Sequence, residues 1–295
     1  MFADAYQKGC QFTRPVITIW NRVDGECRSG VGSFVVVNSD GWFVSAFHIV
    51  KAFGDLSRAT SATEDHRAKL ASINTRAGMT ATQRKTARAR LGTLSGDAPA
   101  GWVARWMRDD VQIKDVQFLE KADLLLGRLD PFDPAWITEY PRFKDPASPM
   151  RPGTSLCRIG YPFNHVQATC NPATKEFTLR QAQVPVFPIE GILTRDVLVQ
   201  QRPGVPYRDM FLETSSPGLK GQSGGPILDV HGVVWGIQSN TQNLPLGFDP
   251  SVPVENGDEP SKRKEFQFLN VGWAVHPETI AGFLKEKGIR FEMAS

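Results

Sequence analysis

The stretch GLKGQSGGPILDVHGVVWGI, residues 218–237, decides how the rest of the chain is read. Ser223 stands between Gly221 and the pair Gly224-Gly225, and Pro226 and an apolar run follow. Glycines this dense mark a backbone that turns sharply or passes close to something. The plain reading is a tight turn. The sharper one is an exposed nucleophile whose neighbouring N–H groups point at a reacting oxygen.

The segment GQSGG fits G-x-S-x-G, the nucleophile elbow of a strand–serine–helix turn. Its surroundings do not. SSPGLK (215–220) is poor strand material before the serine, and GGPILDVHGVVWGIQ (224–238) is a β-type run broken by a turn at DVHG. A phosphate-binding loop fails too, for want of Gly-Lys-Ser/Thr. What remains is a serine on a loop that leads into a strand, with its partners elsewhere in the chain.

A serine hydroxyl needs a base as it attacks, and histidine titrates near neutrality. Of the five histidines, His66 lies in a polar helical segment, His165 in a loop, His231 in a turn, and His276 beside a helix-starting proline. His48, in FVSAFHIV (43–50), sits where a strand pattern ends. A carboxylate would hold the imidazole's tautomer. Asp123 in KADLLLGRL (121–129) stands at the mouth of an apolar strand, where burial is costly without a partner. Asp109, Asp110, Asp115 and Asp130 sit in polar stretches. Taken alone, without the serine and the histidine, Asp123 reads rather as a solvated strand cap.

Around these residues the chain reads as short strands. GSFVVVNSDGWFVSAFHIV (32–50) is a hairpin turning at NSDG, and LCRIGYPF, VPVFPIEGILTRDVLVQ and FQFLNVGWAV are further runs broken by Gly, Pro, Asn or Asp. Such punctuation favours an all-β sandwich or barrel. Residues 51–110 read instead as helix and loop. ATEDHRAKLASI and TATQRKTARARL are rich in helix formers, and DAPAGWVARWMRDD sets Trp102 and Trp106 four apart on one helical face. HPETIAGFLKEKGI (276–289) has Pro277 at a helix start, a stripe of Ile280, Phe283 and Leu284, and Gly288 at the stop. Residues 240–265, rich in Pro, Asn, Asp and Gly, read as an excursion between two strands.

Composition narrows the classes. The 295 residues are enough to bury a substantial core, and a formal charge of +3 gives no bulk argument for nucleic acid. The basic run RKTARAR (84–90) lacks interleaved aromatics and reads as a solvated helix face. No apolar run approaches the ~18 residues of a membrane span. The first residues lack a secretory pattern, and four cysteines in a chain this long do not suggest a disulfide framework, so the cytoplasm is the expected compartment. Cys157 and Cys170 flank RIGYPF, and whether they pair stays open. No Cys–His spacing suits a metal, and no cofactor is expected.

In this order, the pieces resemble the chymotrypsin-like (trypsin-like) serine peptidases, nearest the bacterial HtrA-type and related small peptidases. GVGSFVVVNSDGWFVSAFHIV is similar to the strand pair ending in the family's catalytic histidine, ADLLLGRL to its aspartate strand, RIGYPF to the opening strand of its second barrel, and residues 218–237 to its serine loop. The likeness leaves out roughly 51–110 and 240–265. It implies two six-stranded antiparallel barrels with the active site between them: a first barrel over about 12–135, interrupted by a helical insertion over about 51–110, a second over about 150–275, and a C-terminal helix over 276–288. No PDZ module fits the chain that remains. It further implies His48 as general base, Asp123 as its orienting partner, Ser223 as nucleophile, and the N–H groups of Gly221 and Ser223 as the oxyanion hole.

Three departures stand out. Phe47 precedes the histidine where the family carries a small residue. Leu125 replaces a common alanine. Gln222 takes the place of an aspartate that, in digestive members, pairs with a freed N-terminus. The wall of the primary pocket, by position, includes Pro217, Gly218 and Leu219; with no acid there, a preference for Arg or Lys has no support. The implied activity is hydrolysis of protein or peptide substrates through an acyl-enzyme. Two alternatives stay open: a catalytically silent binding protein on the same fold, and a peptidase regulated by a protein partner at the insertion.

Overall fold

A computed structural model of the chain describes residues 1–171, 174–248 and 268–294, and the backbone of 251–256 and 259–264. The first half comprises α1 (Ala3–Phe12), β1 (Thr13–Arg22), β2 (Cys27–Val36), β3 (Trp42–Ala46), α2 (Phe47–Thr75), α3 (Ala81–Leu91), β4 (Pro99–Trp106), β5 (Gln112–Leu119) and β6 (Leu124–Asp130). The second comprises β7 (Arg142–Phe143), β8 (Ser155–Gly160), β9 (His165–Cys170), β10 (Phe177–Gln183), β11 (Phe187–Gln201), β12 (Arg208–Thr214), β13 (Pro226–Leu228), β14 (Val234–Pro245), β15 (Ser251–Asn256), β16 (Glu259–Lys264), β17 (Phe268–Val275), α4 (Pro277–Glu286) and β18 (Glu292–Met293).

The first six strands form one curled sheet in the order β4-β1-β2-β3-β6-β5. In the second half, β13-β8-β11-β12-β17-β14 closes into a ring of six through the β13–β14 pairing, with β7 and β18 added beyond β14. This is the expected chymotrypsin-like architecture, with the first sheet curled rather than closed by hydrogen bonds. The hairpin before His48 forms as read. Asn38 Oδ1 accepts from Asp40 N at 3.0 Å, and Gly41, at φ +80°, completes the turn that sets Val36 opposite Phe43. The two inner faces share a core in which Phe34, Phe43, Leu124, Leu126, Ile159, Leu228 and Ile237 are fully or almost fully buried. A Leu or Phe side chain buried this way contributes about 1.5–3 kcal/mol.

One element corrects the sequence reading. Residues 99–106 form strand β4, not a helix, and pair with β1 so that Trp106 faces Val16 and Trp102 faces Trp20. A spacing of four is even, so it also puts both indoles on one face of a strand. Trp106 is buried against Phe34 and Phe43, with ring centroids 5.2 and 5.0 Å away, and this packing overrides local helix propensity. The helical insertion therefore consists of α2 and α3. Helix α2 lies on β4 through Phe53 and Trp102, centroids 5.4 Å apart. Helix α3 starts on the capping box of Thr80 and Gln83 and buries none of its residues, so RKTARAR is a solvated face.

The terminal helix α4 follows the sequence reading closely. His276 caps it, with Nδ1 accepting from Glu278 N at 3.1 Å, and Ile280, Phe283 and Leu284 are buried. Of the predicted excursion over 240–265, β14 and β17 continue as a ladder out to Pro245 and Phe268, and β15 pairs with β16 beyond it. Residues 249–250, 257–258 and 265 of that span lie outside the described residues. Cys157 and Cys170 are free thiols. Among the described residues no helix is long and apolar enough to cross a membrane.

Candidate active site

Strand β3 ends at Ala46, and helix α2 begins at Phe47, so His48 sits in the first turn of a 29-residue helix. Ala46 offers no side-chain cap. The turn is held from the residue just before β6: the Asp123 carbonyl accepts from Phe47 N at 3.1 Å, and Asp123 Oδ1 accepts from His48 N at 2.9 Å. The carboxylate thus meets one orphan N–H, that of His48, at the positive end of the helix. Its other oxygen, Oδ2, lies 2.8 Å from His48 Nδ1. A carboxylate can only accept, so Nδ1 carries the proton and Nε2 of the neutral ring keeps its lone pair.

Asp123 reaches this position through an uncommon backbone. Its φ is +52°, in the left-handed region that Asp and Asn tolerate better than most residues. Its N–H donates to the Glu120 carbonyl at 3.1 Å, which fixes the turn between β5 and β6. The departures beside the site leave it intact. Phe47 stacks on Phe118, with centroids 4.3 Å apart, and Leu125 is wholly buried on β6 opposite Ser45.

The serine loop, residues 215–225, crosses from the second sheet to the first. Ser33 N donates to the Ser223 carbonyl and Ser33 Oγ to the Gly221 carbonyl, both at 2.8 Å, and Tyr161 N donates to the same Gly221 carbonyl at 3.0 Å. Two glycines are required. Gly221 has φ +101°, and a Cβ there would lie 2.4 Å from the Tyr161 carbonyl oxygen; at Gly224, φ +83°, it would lie 2.0 Å from the Ser33 carbonyl oxygen. With the Gly221 carbonyl doubly bonded, the N–H groups of Gly221 and Ser223 have no acceptor among the described residues. Gln222 is buried and tied internally: its Oε1 accepts from Leu219 N at 2.9 Å and its Nε2 donates to the Phe187 carbonyl at 3.2 Å.

His48, Asp123 and Ser223 line one cleft of about 580 Å³, together with Gly218, Leu219 and Ser239. Pro217 is not among its lining residues. The Ser223 hydroxyl donates to the Ser239 carbonyl at 3.2 Å and makes no hydrogen bond to His48. Ser239 Oγ donates to Asp123 Oδ2 at 2.5 Å. Ser239 therefore joins the aspartate to the serine through its side chain and its backbone. Sequence reading missed it, as it missed Ser33: each is a lone serine with no local signature, and only the register of β14 against the serine loop brings Ser239 to the site. Among the described residues no group of His, Cys, Asp or Glu is placed to hold a metal ion.

No curated protein matches the sequence. Among solved structures, the chain is similar to the Rv3671c protease from M. tuberculosis in its active form, at 12% identity, with 95% of this chain and 83% of that chain covered and a TM-score of 0.43. It is also similar to the HtrA-type protease AlgW with tripeptide, at 14% identity and a TM-score of 0.45. That match covers 98% of this chain and 64% of the other, so the chain spans less than two thirds of the length of AlgW. The family model of the trypsin-like peptidase domain matches residues 32–237, well over half of the chain, and the match includes His48, Asp123 and Ser223. The chain belongs to the trypsin-like peptidases, serine hydrolases of the chymotrypsin-like fold.

Proposed function

We propose that the protein hydrolyses peptide bonds through an acyl-enzyme, with Ser223 as nucleophile, His48 as general base and Asp123 as the group that orients the imidazole. The observation that carries this reading is the 2.8 Å contact between the Asp123 carboxylate and His48 Nδ1, in the cleft that also holds Ser223. The Ser223 side chain turns from the Ser239 carbonyl toward His48 Nε2. As Oγ attacks the scissile carbonyl carbon, its proton passes to Nε2. The carbonyl oxygen takes the negative charge and accepts from the N–H groups of Gly221 and Ser223. The imidazolium then gives its proton to the leaving amine, the C–N bond breaks, and a water activated in the same way hydrolyses the ester.

The acyl part of the substrate lies along Gly218, Leu219 and residues 239–241 of β14. Because each sheet supplies part of the site, residues 1–295 act as one catalytic unit. A fluorophosphonate labels Ser223 in the native protein under this reading, and labelling disappears in Ser223→Ala and after denaturation.

A second reading has one observation in its favour. The Ser223 hydroxyl rests on the Ser239 carbonyl and not on His48, as a catalytically silent peptidase-fold protein would leave it. Absence of labelling, together with absence of cleavage of any peptide library by the folded protein, selects that reading. Regulation through the insertion is the remaining element of the proposal. Helix α2 runs from Phe47, beside His48, to Thr75, and a five-residue link, 76–80, joins it to α3, none of whose residues is buried, so a partner bound on α3 can act on the histidine's helix. Replacing residues 76–92 by a short Gly-Ser linker spares β4 and tests this. Identical activity with and without α3, in the presence of cell extract, opposes it.

A further inference from the structure

The cleft described above lies on one side of His48 and Ser223. On the other side is a second hollow of about 380 Å³, which shares His48, Gly221 and Ser223 with the site. Its size falls within the range of pockets that enclose small ligands, about 300–1,000 Å³. The floor is the β1–β2 hairpin, where Thr18 faces Gly30 and Val16 faces Gly32. The opposite wall is the first turns of α2, through Ile49, Ala52, Phe53 and Leu56. Trp20 closes one end. Among the described lining residues only Lys220 and His48, at the junction with the serine loop, bring charge or titratable groups.

Glycine keeps the floor low. The nearest atom to a Cβ at Gly30 would be on the Trp20 ring at 3.8 Å, so a side chain there would project into the hollow. A Cβ at Gly32 would meet Ile49 Cδ1 at 2.7 Å, so the helix sits directly over the strand. The hollow thus exists because α2 starts at the histidine and continues across β2.

The acyl side is built differently. The Gln238 amide fills the space beside Gly218, with Nε2 2.2 Å from where a Cβ would stand, and Thr241 Oγ1 donates to the Gly218 carbonyl at 2.7 Å. Behind them the guanidinium of Arg158, 2% exposed, occupies the space beside Gly272, bonded to the Ser216 carbonyl at 2.7 Å and to Thr214 Oγ1. The depth of that wall is taken by the protein's own polar groups. The cleft on the acyl side has a mixed lining, Phe47, Phe211 and Leu219 among polar residues, whereas the hollow under α2 is lined mostly by apolar atoms.

We infer that this hollow receives the side chain of the residue immediately after the cleaved bond, and that the enzyme selects an apolar residue there, such as Leu, Met or Phe. The inference rests on the peptidase reading, because that reading sets the scissile bond at Ser223 with its acyl part along 218–219 and 239–241. The chain leaving from Ser223 then runs past His48, the group that protonates the new amine, and over the hollow. Burial of a leucine-sized side chain gives at least a tenfold gain in kcat/KM over glycine at that position.

The test is a proteome-derived peptide library digested with the native protein, Ser223→Ala serving as control, and both residues flanking each cleaved bond identified by mass spectrometry. Peptides from a recovered site, varied only after the bond to Leu, Phe, Gly, Asp and Lys, give the ratio directly. The expected result is enrichment of apolar residues after the bond and a Leu-to-Gly ratio of tenfold or more. Ala52→Trp, at an exposed helix position, fills the hollow and brings that ratio close to one. Leu56→Asn, which makes the wall polar, lowers it by a second route should the tryptophan disturb folding. Ser223-dependent cleavage with a flat or charged profile after the bond, or a ratio untouched by both substitutions, overturns the inference and leaves the peptidase reading standing. Absence of Ser223-dependent cleavage and of fluorophosphonate labelling defeats that reading and this inference with it.

Discussion

Asp123 holds His48 at two points: Oδ1 accepts from the backbone N–H at 2.9 Å and Oδ2 meets ring Nδ1 at 2.8 Å. One carboxylate therefore starts helix α2 and sets the imidazole. The ring is 46% exposed while the carboxylate is 15% exposed, so the cleft reaches the base and largely shields its partner. A third bond, from Ser239 Oγ at 2.5 Å, fixes the carboxylate from the second sheet.

Asp123→Asn separates geometry from charge. Asparagine tolerates the left-handed φ of +52° about as well as aspartate, so the turn and the start of α2 persist. The amide can present N–H where the carboxylate accepted, which favours the wrong tautomer, and the imidazolium loses its counter-charge. We expect kcat to fall by about 10³–10⁴-fold, as in comparable triads, with the melting temperature within a few degrees of the native protein. Stopped assays on a library-derived peptide and a thermal melt measure both. Retention of more than a tenth of the activity removes Asp123 from the role proposed for it.

Gly221→Ala tests the oxyanion donors. At φ +101° a Cβ is strained and would stand 2.4 Å from the Tyr161 carbonyl oxygen, so the peptide carrying the Gly221 N–H must turn. Loss of one such donor lowers kcat by about 10²–10³-fold. Gly204→Ala supplies the comparison: φ is +74° there, but nothing lies within 4 Å. It carries the backbone strain without touching the site, and we expect lower stability with normal turnover. Equal loss of activity in the two variants would assign the effect of Gly221 to folding alone.

The elements that were legible in the sequence carry local signals. The density of glycine around Ser223, the NSDG turn before His48, and the Pro277 and Gly288 that bound α4 each state their conformation within a few residues. The elements that were not legible depend on distant pairing. Trp102 and Trp106 satisfy a helix and a strand equally by spacing, and only β1 decides between them. Helix α1 has no run long enough to declare itself, yet it packs Gly9 against Leu228 and Ile159 of the second sheet. Ser239 and Ser33 become part of the site because the two sheets meet there. No window of sequence contains that fact.

Cys157 differs from Cys27 and Cys170 in its environment. Cys157 is 2% exposed on β8, and burial pushes its pKa up to about 11, so it is neither accessible nor ionised near neutral pH. Cys27 and Cys170 are half-buried. With Ellman's reagent at pH 8, Cys27 and Cys170 should react in the native protein, and Cys157 only after denaturant is added. Peptide mapping of the modified sites checks the order. Early modification of Cys157 would mean that β8 opens in the native state.

Glu278 links the first turn of α4 to β12. Its Oε1 accepts from Arg208 N at 3.0 Å and from Arg208 Nε at 2.9 Å, and its Oε2 accepts from the same guanidinium at 2.6 Å. The bonds from Arg208 hold the carboxyl below the usual carboxylate range. A group with a lowered folded pKa adds stability above its unfolded value, about 4.3, and loses it as pH falls through the lower folded value. Arg208 is 49% exposed, and solvent screening keeps the pair to about 1 kcal/mol even with the helix-dipole contribution. Glu278→Gln should therefore melt about 2 °C lower than the native protein between pH 5 and 8. The gap should close as pH falls toward 3, where the native carboxyl is protonated too. A gap that persists at pH 3 would show that shape, not charge, makes the contribution, and no gap at pH 7 would show that the pair contributes nothing.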